Sequence, residues 1–345
     1  MNQPPMKLST LLFSLLLVSC GSVKVNVGPD GGDDAGGNVD AGGNVDATSG
    51  SNAAPVIASV TTDSSNPGAP INAICNAADA DGDSLSYSWS VDIGSVTENG
   101  AQATWEPGAE GTGTITCSVN DGIAGDVVGS TTVELQVSEG LIGWYRFNGD
   151  GTDSSAANNP GTLTGSNFEI DRQGNANGAL SFNGNTFVTL ANEGAFDLST
   201  FTLAAWISVD SANSTRPIFS KPSTTGLGNF TMQIFDDANE FIGGRLTYTH
   251  DTATGNFSGA GSIAAVPTGQ FIHVATTLDT TILSSYLNGQ LQRSTNNPAT
   301  PIMTNRPVTI GSRNDNRFLG AMDEARIYNR ALTGEEIAAI ANGSL

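Results

Sequence analysis

Positive charge is scarce in this chain of 345 residues: 13 Lys and Arg stand against 34 Asp and Glu, for a formal net charge of −21. Nucleic acid is thereby excluded as a partner, because holding a phosphate backbone depends on clustered Lys and Arg that release counterions. Histidine occurs only at 250 and 273, which leaves little room for a histidine base. The His-Glu-x-x-His zinc motif and the Gly-x-Ser-x-Gly nucleophile turn are both missing. No apolar run reaches the roughly 20 residues that a membrane-spanning helix needs. What is present is a supply of Leu, Ile, Val and aromatic residues spread through the chain beyond residue 55, enough to bury a core. The length suits about two domains with accessory segments.

Lys7 precedes the apolar run Leu11-Leu12-Phe13-Ser14-Leu15-Leu16-Leu17-Val18, the form of a secretory signal. Leu17-Val18-Ser19-Cys20 follows and resembles the bacterial lipobox. That resemblance makes residues 1–20 a lipoprotein signal peptide and Cys20 a lipidated N-terminus, whose acyl chains hold the protein on a membrane almost irreversibly. Gly21 rather than Asp after the Cys implies the outer membrane, at its periplasmic or its cell-surface face. Removing Cys20 leaves Cys75 and Cys117, an even pair in an oxidising compartment, where a disulfide is expected. Residues 21–54 repeat Asp-Ala-Gly-Gly-Asn-Val from Asp34 and again from Asp40, with almost no large apolar side chain. A disordered Gly/Asp-rich linker is expected there.

Residues 55–138 read as short strands between turn residues, with no helical periodicity. Ile71-Ala73-Cys75, Leu85-Tyr87-Trp89-Val91, Ile115-Cys117-Val119 and Val133-Leu135-Val137 are the apolar members of alternating runs. Cys, a Trp fourteen residues on, then Cys again resembles the immunoglobulin-like (Ig-like) β-sandwich, whose inter-sheet disulfide packs on a core Trp. Asp79-Ala80-Asp81-Gly82-Asp83 and the residues after it also resemble bacterial surface repeats of the polycystic-kidney-disease or cadherin-like kind. Asp79, Asp81 and Asp83 are candidate calcium ligands. They are not an EF-hand, since Ser90 stands where the bidentate Glu would be needed. From 55 to 140 there are twelve acids and no Lys or Arg, so a cation there would relieve self-repulsion.

From 141 to 345 longer strands with Gly and Asn turns predict one large all-β unit. Asn288-Gly289 between apolar flanks marks a type I′ hairpin. Thr333-Gly334-Glu335-Glu336 is a capping box ahead of Ile337 and Ile340, predicting a short closing helix with Gly343 at its stop. Trp144-Tyr145-Arg146-Phe147-Asn148-Gly149, Ala179-Leu180-Ser181-Phe182-Asn183-Gly184, Phe201-Thr202-Leu203-Ala204-Ala205-Trp206-Ile207, His273-Val274-Ala275, Ile310-Gly311-Ser312 and Phe318 through Leu332 follow the order of laminin-G-like jelly-roll domains, within the concanavalin A-like lectin/glucanase superfamily. The resemblance implies two stacked antiparallel sheets. One departure is Phe271, where the pattern has Trp. The fold class expected is therefore all-β, an Ig-like β-sandwich followed by a concanavalin A-like jelly-roll β-sandwich.

The superfamily holds enzymes and binders, so the site must decide the chemistry. Its retaining glucanases carry Glu-x-Asp-x-Glu on one strand, and no such triplet occurs here. Asp323 and Glu324 are adjacent on a predicted strand, and alternation would send them to opposite faces. No catalytic residue is expected. Trp144 and Trp206 read as core, and His273 as a structural hydrogen-bonder. The family resemblance favours a calcium ion near the sheet rim, with Asp150, Asp153, Asn158 and Asp323 as its expected ligands. For a glycan, the rim loops 211–229, 250–262 and Arg313-Asn314-Asp315-Asn316-Arg317 are the candidates, with Tyr248 or Phe257 as an aromatic platform. The reading is a non-catalytic, lipid-anchored envelope protein that recognises glycans or extracellular proteins, adhesin-like. Its alternatives are a polysaccharide-active enzyme or accessory subunit, and a structural envelope protein.

Overall fold

The computed structural model describes residues 51–224, 226–236, 243–259, 261–296 and 299–343. Cys20, the signal segment and all of the linker up to residue 50 lie outside the described residues.

The first sandwich contains β1 (Val56–Thr62), β2 (Ile71–Ala78), β3 (Ser86–Val91), β4 (Ser95–Asn99), β5 (Gln102–Glu106), β6 (Gly111–Asn120) and β7 (Val127–Leu135). One sheet has the order β1-β2-β5-β4 and the other β3-β6-β7, the ABED and CFG arrangement of seven-stranded immunoglobulin sandwiches. Alternation drives it: Ile71, Ala73 and Cys75 of β2 point inward against Ile115, Cys117 and Val119 of β6. Cys75 and Cys117 form a disulfide between the sheets, with Trp89 paired beside Cys117. Trp105 of β5, which the alternating runs did not single out, is fully buried and donates its indole N–H to Ile93 O at 2.7 Å. The disulfide closes a sequence separation of 42 residues. Reducing it is expected to lower the stability of this sandwich by about 4 kcal/mol in the chain-entropy account, to be read as the difference in denaturant midpoint with and without reductant.

The second sandwich begins with β8 (Leu141–Tyr145), β9 (Gly161–Thr164), β10 (Phe168–Glu169), β11 (Ala179–Asn183), β12 (Phe187–Leu190) and β13 (Phe201–Val209). It continues with β14 (Arg216–Lys221), β15 (Phe230–Ile234), β16 (Leu246–Thr252), β17 (Gly255–Ser258), β18 (Phe271–Leu278), β19 (Ile282–Leu287) and β20 (Gln290–Asn296). Last come β21 (Val308–Ile310), the small hairpin β22 (Ser312–Arg313) and β23 (Asn316–Arg317), β24 (Leu319–Tyr328) and helix α1 (Gly334–Asn342). One sheet runs β10-β11-β24-β13-β18-β19-β20, with β8 also on β24. The facing sheet runs β17-β16-β15-β14-β21-β12-β9. Between them lies a single apolar core that includes Leu203, Ile207, Phe219, Met232, Ile310 and Ile327.

Two local features follow the sequence closely. Asn288 (φ 46°) and Gly289 (φ 74°) form the turn between β19 and β20, the positive-φ pair that a type I′ hairpin requires. Helix α1 starts on the expected capping box, with Thr333 Oγ1 accepting from Glu336 N at 3.2 Å and Glu336 Oε2 accepting from Thr333 N at 3.0 Å. One stretch differs from alternation. The stretch from Ala179 to Leu190 is not one strand but turns at Gly184 (φ 90°) into β11 and β12, which enter opposite sheets.

Helix α1 does not cap an end of the sandwich. It lies on the outer face of the first-named sheet, where Ile337 and Ile340 bury Ala204, Ala275 and Tyr286 together with Val137 of the connecting segment. The two sandwiches share this joint. Tyr328 donates its hydroxyl to Val137 O at 3.0 Å, Glu110 N donates to Ala339 O at 3.2 Å, and Asn66 Nδ2 donates to Glu336 Oε1 at 3.1 Å.

Candidate functional site

The site is formed by an interruption in the sheet. β13 runs along one edge of β24, but the opposite edge is divided. β11 pairs there as far as Met322 and β8 starts at Ala325, so Asp323 and Glu324 fall in the gap. On the β13 side, Trp206 is opposite Asp323 and Ala204 is opposite Arg326, which places one residue too many on β24. Glu324 takes a left-handed conformation, φ 54°, at this β-bulge. The core residues are accordingly Met322, Ala325 and Ile327. Asp323 and Glu324 therefore share the outer face, and the expectation that alternation separates them is overturned.

The notch opens into two adjoining hollows of about 490 and 290 Å³ that share Asp171, Arg172 and Gln173. The larger is also lined by Trp206, Phe271 and the end of α1 at Ala341 and Gly343; the smaller by Arg146, Asn148, Asn175, Asp323 and Glu324. The wall 171–175 is a rigid turn, since Asp171 Oδ1 accepts from Gln173 N and Asn175 N, both at 2.8 Å. Each carboxylate on the floor has a guanidinium partner. Asp323 pairs with Arg172 at 3.2 Å. Glu324 pairs with Arg146 at 3.2 Å and with Arg326 at 3.0 Å, and also accepts the Trp144 indole N–H. The arginines stack on indole faces, Arg172 over Trp206 at 4.9 Å and Arg326 over Trp144 at 4.6 Å.

The charges of this floor are incompletely balanced. Burial, followed by the neighbouring Glu324, pushes the Asp323 carboxyl up to about 7, despite the pull of Arg172 in the other direction. His273, paired across from Trp206, is pushed down to about 3 by burial and then by Arg326 and Arg172. It stays neutral, and neither ring nitrogen has a hydrogen-bond partner among the described residues. The structural hydrogen bond expected of His273 is not made.

The other expected site residues are placed as follows. Asp150, Asp153, Asn158 and Asp323 do not converge. Asp153 accepts from Trp144 N, Ser155 N, Ser155 Oγ and Asn159 N; Asp150 caps Thr152; Asn158 is exposed; Asp323 is held by Arg172. Asp150 and Asp153 bind their own turns and Asp323 sits on β24, so the calcium set expected from these residues is not assembled. Among the described residues, only Asp79, Asp81 and Asp83 bring three acidic ligand atoms within 4.8 Å of one another. In that turn Asp79 Oδ1 accepts from Asp81 N at 2.8 Å and Asp83 N at 3.2 Å, while Asp81 Oδ2 accepts from Ala53 N at 2.7 Å.

Residues Arg313, Asn314, Asp315, Asn316 and Arg317 form the β22–β23 hairpin. There Arg317 donates to the hairpin's own carbonyls, Asn314 O and Asn316 O, and lies over Phe187. The loops expected to share a rim sit at opposite ends of β14. Residues 211–215 lie beside Arg216, whereas Leu227 N and Gly228 N are locked on Asp251, both at 2.9 Å. Tyr248 is fully buried in the core rather than a platform, and the Phe257 side chain lies outside the described residues. Trp144 is buried as expected, but Trp206 is partly exposed and lines the notch. The sequence did carry a signal for this site. Apolar residues at 322, 325 and 327 are spaced three and then two apart, which is the mark of an extra residue in a strand.

Residues 182–338 match the family model of the concanavalin A-like lectin/glucanases superfamily named Laminin_G_3. This stretch is a laminin-G-type domain. The match begins inside β11, so the laminin-G-type stretch supplies Trp206, Asp323 and Glu324, while Arg146 and the 171–175 turn come from the residues preceding it. Among solved structures, the chain is similar to domain 4 of the extracellular arabinanase AbnA from Geobacillus stearothermophilus, determined with arabinotriose, at 24% identity and a TM-score of 0.46, covering 58% of this chain and 98% of that one. It is also similar to the binding domain of Paraclostridial Mosquitocidal Protein 1, at 18% identity and a TM-score of 0.47, covering 59% of this chain and 52% of that one. A third is the receptor binding domain of botulinum neurotoxin C/D mosaic serotype, at 14% identity and a TM-score of 0.45, covering 58% and 50%. No curated protein matches the chain.

Proposed function

We propose that this is a non-catalytic recognition protein of the bacterial cell envelope, anchored through Cys20 to the outer membrane, whose laminin-G-type domain binds a glycan or an extracellular protein in the notch beside Trp206. The observation that carries the reading is the notch itself. It joins a partly exposed indole to converging guanidinium, carboxylate and amide groups, within the size range of roughly 300–1,000 Å³ usual for ligand pockets. An aromatic face with polar forks around it suits a polyhydroxylated ring, whose C–H face packs on the indole while its hydroxyls meet Arg172, Gln173 and Asn175. The absence of catalysis is supported by Glu324, which three donors already hold. Calcium belongs to the proposal through Asp79, Asp81 and Asp83, as a brace for the first sandwich.

The test is binding of the full-length protein to a glycan array, with calcium and again with chelator. Saturable binding is expected, and Trp206→Ala should weaken it at least tenfold with the melting temperature unchanged. Binding that survives Trp206→Ala but is lost in Arg317→Ala would move the site to the hairpin. If no glycan binds in either condition, the glycan half of the proposal fails and an extracellular protein is the ligand to seek. Chelator is expected to lower the melting temperature of the first sandwich, and no change would remove calcium from the proposal.

The raised Asp323 carboxyl beside Glu324 favours a second reading, a polysaccharide-active enzyme, because glycosidases pair a protonated acid with an ionised neighbour. Release of reducing ends from a polysaccharide panel, abolished by Asp323→Asn, would establish it in place of the first.

A further inference from the structure

Both carboxylates of the notch are held by an arginine, and both arginines lead to the same residue of the other sandwich. Arg326, only 2% exposed, bonds Glu324 with one terminal nitrogen and Glu110 Oε2 with the other, the latter at 2.6 Å. Glu110 precedes β6 of the first sandwich and is itself 2% exposed, with Oε1 accepting from Val137 N at 2.7 Å. Arg172, the partner of Asp323, donates to Gly343 O at 3.1 Å. Gly343 is packed so tightly on Glu110 that a Cβ built there would stand 2.8 Å from the Glu110 Cβ. The backbone of Glu110 also holds the helix leading to Gly343 through its bond to Ala339 O.

We infer that the first sandwich helps to set up the notch without lining it: Glu110 is a positioning residue for Asp323 and Glu324, acting through Arg326 and through the Gly343 contact of Arg172. This rests on the notch being the binding site, but the coupling itself needs no ligand to be measured. One buried guanidinium is divided between Glu110 and Glu324. Withdraw the charge of Glu110, and Arg326 neutralises Glu324 alone, so Glu324 repels Asp323 less. The other charged groups facing Asp323 are Arg172 and Asp171 from the 171–175 turn; His273 across the sheet is neutral.

The experiment is a carboxyl-carbon NMR titration of the full-length protein, with Asp323→Asn identifying the Asp323 signal. In Glu110→Gln the titration midpoint of Asp323 is expected to move down by about one pH unit, a tenfold change in its proton affinity. Glu110→Asp, which keeps the charge, is expected to stay within about a third of a unit of wild type. The double variant Glu110→Met with Arg326→Met replaces the buried pair by apolar groups, a change such pairs commonly tolerate. It frees Glu324 from Arg326, and the midpoint should move up. Opposite shifts in the single and double variants support the inference, and if the single variant does not fold, the upward shift of the double variant stands alone as the test. An Asp323 midpoint unmoved in whichever of these fold, or equal shifts in Glu110→Gln and Glu110→Asp, would overturn it and reduce Glu110 to a packing contact of the joint. Failure of glycan binding would leave this result untouched, so the two readings fail separately.

Discussion

Arg326→Ala is expected to destabilise the protein by about 3–5 kcal/mol, the usual result of removing one partner from a buried ion network. The guanidinium lies between Glu110 and Glu324, which are 2% and 3% exposed, and stacks on the Trp144 ring at 4.6 Å. Without it, Glu110 Oε2 has no hydrogen-bond partner among the described residues, and Glu324 keeps Arg146 and the Trp144 indole. Carboxylates stranded in this way take up protons to avoid uncompensated charge. The loss should therefore be largest near neutral pH and shrink toward pH 4. Arg326→Lys should fall between alanine and wild type, because an ammonium restores charge but cannot fork to two carboxylates while stacking on an indole. Denaturant unfolding at pH 7 and pH 4.5 checks both statements. An alanine variant that loses less than about 1 kcal/mol at pH 7 would mean that water reaches Glu110 and Glu324.

Asp323→Asn is expected to stabilise the protein at pH 8 and to leave it nearly unchanged near pH 4. The folded protein keeps the Asp323 proton up to about pH 7, whereas an unfolded Asp releases it around its ordinary value of 3.8. Between those values the native state binds more protons than the unfolded chain, so stability declines as pH rises through the window. The contribution is fully present below about pH 3.8 and gone above about pH 7. A displacement of this size corresponds to roughly 4 kcal/mol between the two ends of the window. Asparagine resembles the protonated acid and does not ionise, so the difference between variant and wild type should open with rising pH. Comparing the two proteins cancels the titration of every other group. A pH-independent difference would show that burial and Glu324 do not govern this carboxyl.

The parts of the fold that were legible in the sequence share one property: a local rule fixes them. Period-two alternation placed Cys75, Cys117 and Trp89 inward, Asn288-Gly289 set its hairpin by positive φ, and Thr333 with Glu336 started the helix. The notch was not legible by those rules because it arises where one of them is broken. Asp323 and Glu324 share a face only through the left-handed residue at 324, and they line the notch only because β8 and β11 stop short of each other, which depends on pairings far apart in the chain. Arg172 lies in a polar turn with no periodicity to read, and Arg146 stands between the core residues Tyr145 and Phe147 at the end of β8, where alternation marks it only as outward-facing. The calcium set failed for a related reason. Asp-Ser-Ser and Asp-Gly-Thr are ion-like in composition, but here Asp153 and Oδ1 of Asp150 accept from groups of their own turns, and the carboxylates do not converge.

The disulfide of the first sandwich also has a mechanical consequence. If the chain is pulled between residues near 55 and 137, as a tethered protein holding a ligand would be, the bond from Cys75 to Cys117 carries tension directly between the two sheets. The 42 residues of separation between them cannot be drawn out, which withholds about 140–150 Å of contour at the length of extended chain. Only residues 55–74 and 118–137, which carry β1, the first half of β2, the end of β6 and β7, can yield. Under load the disulfide thus withholds about half of the length that the first sandwich could release, and that half becomes available only in a reducing environment.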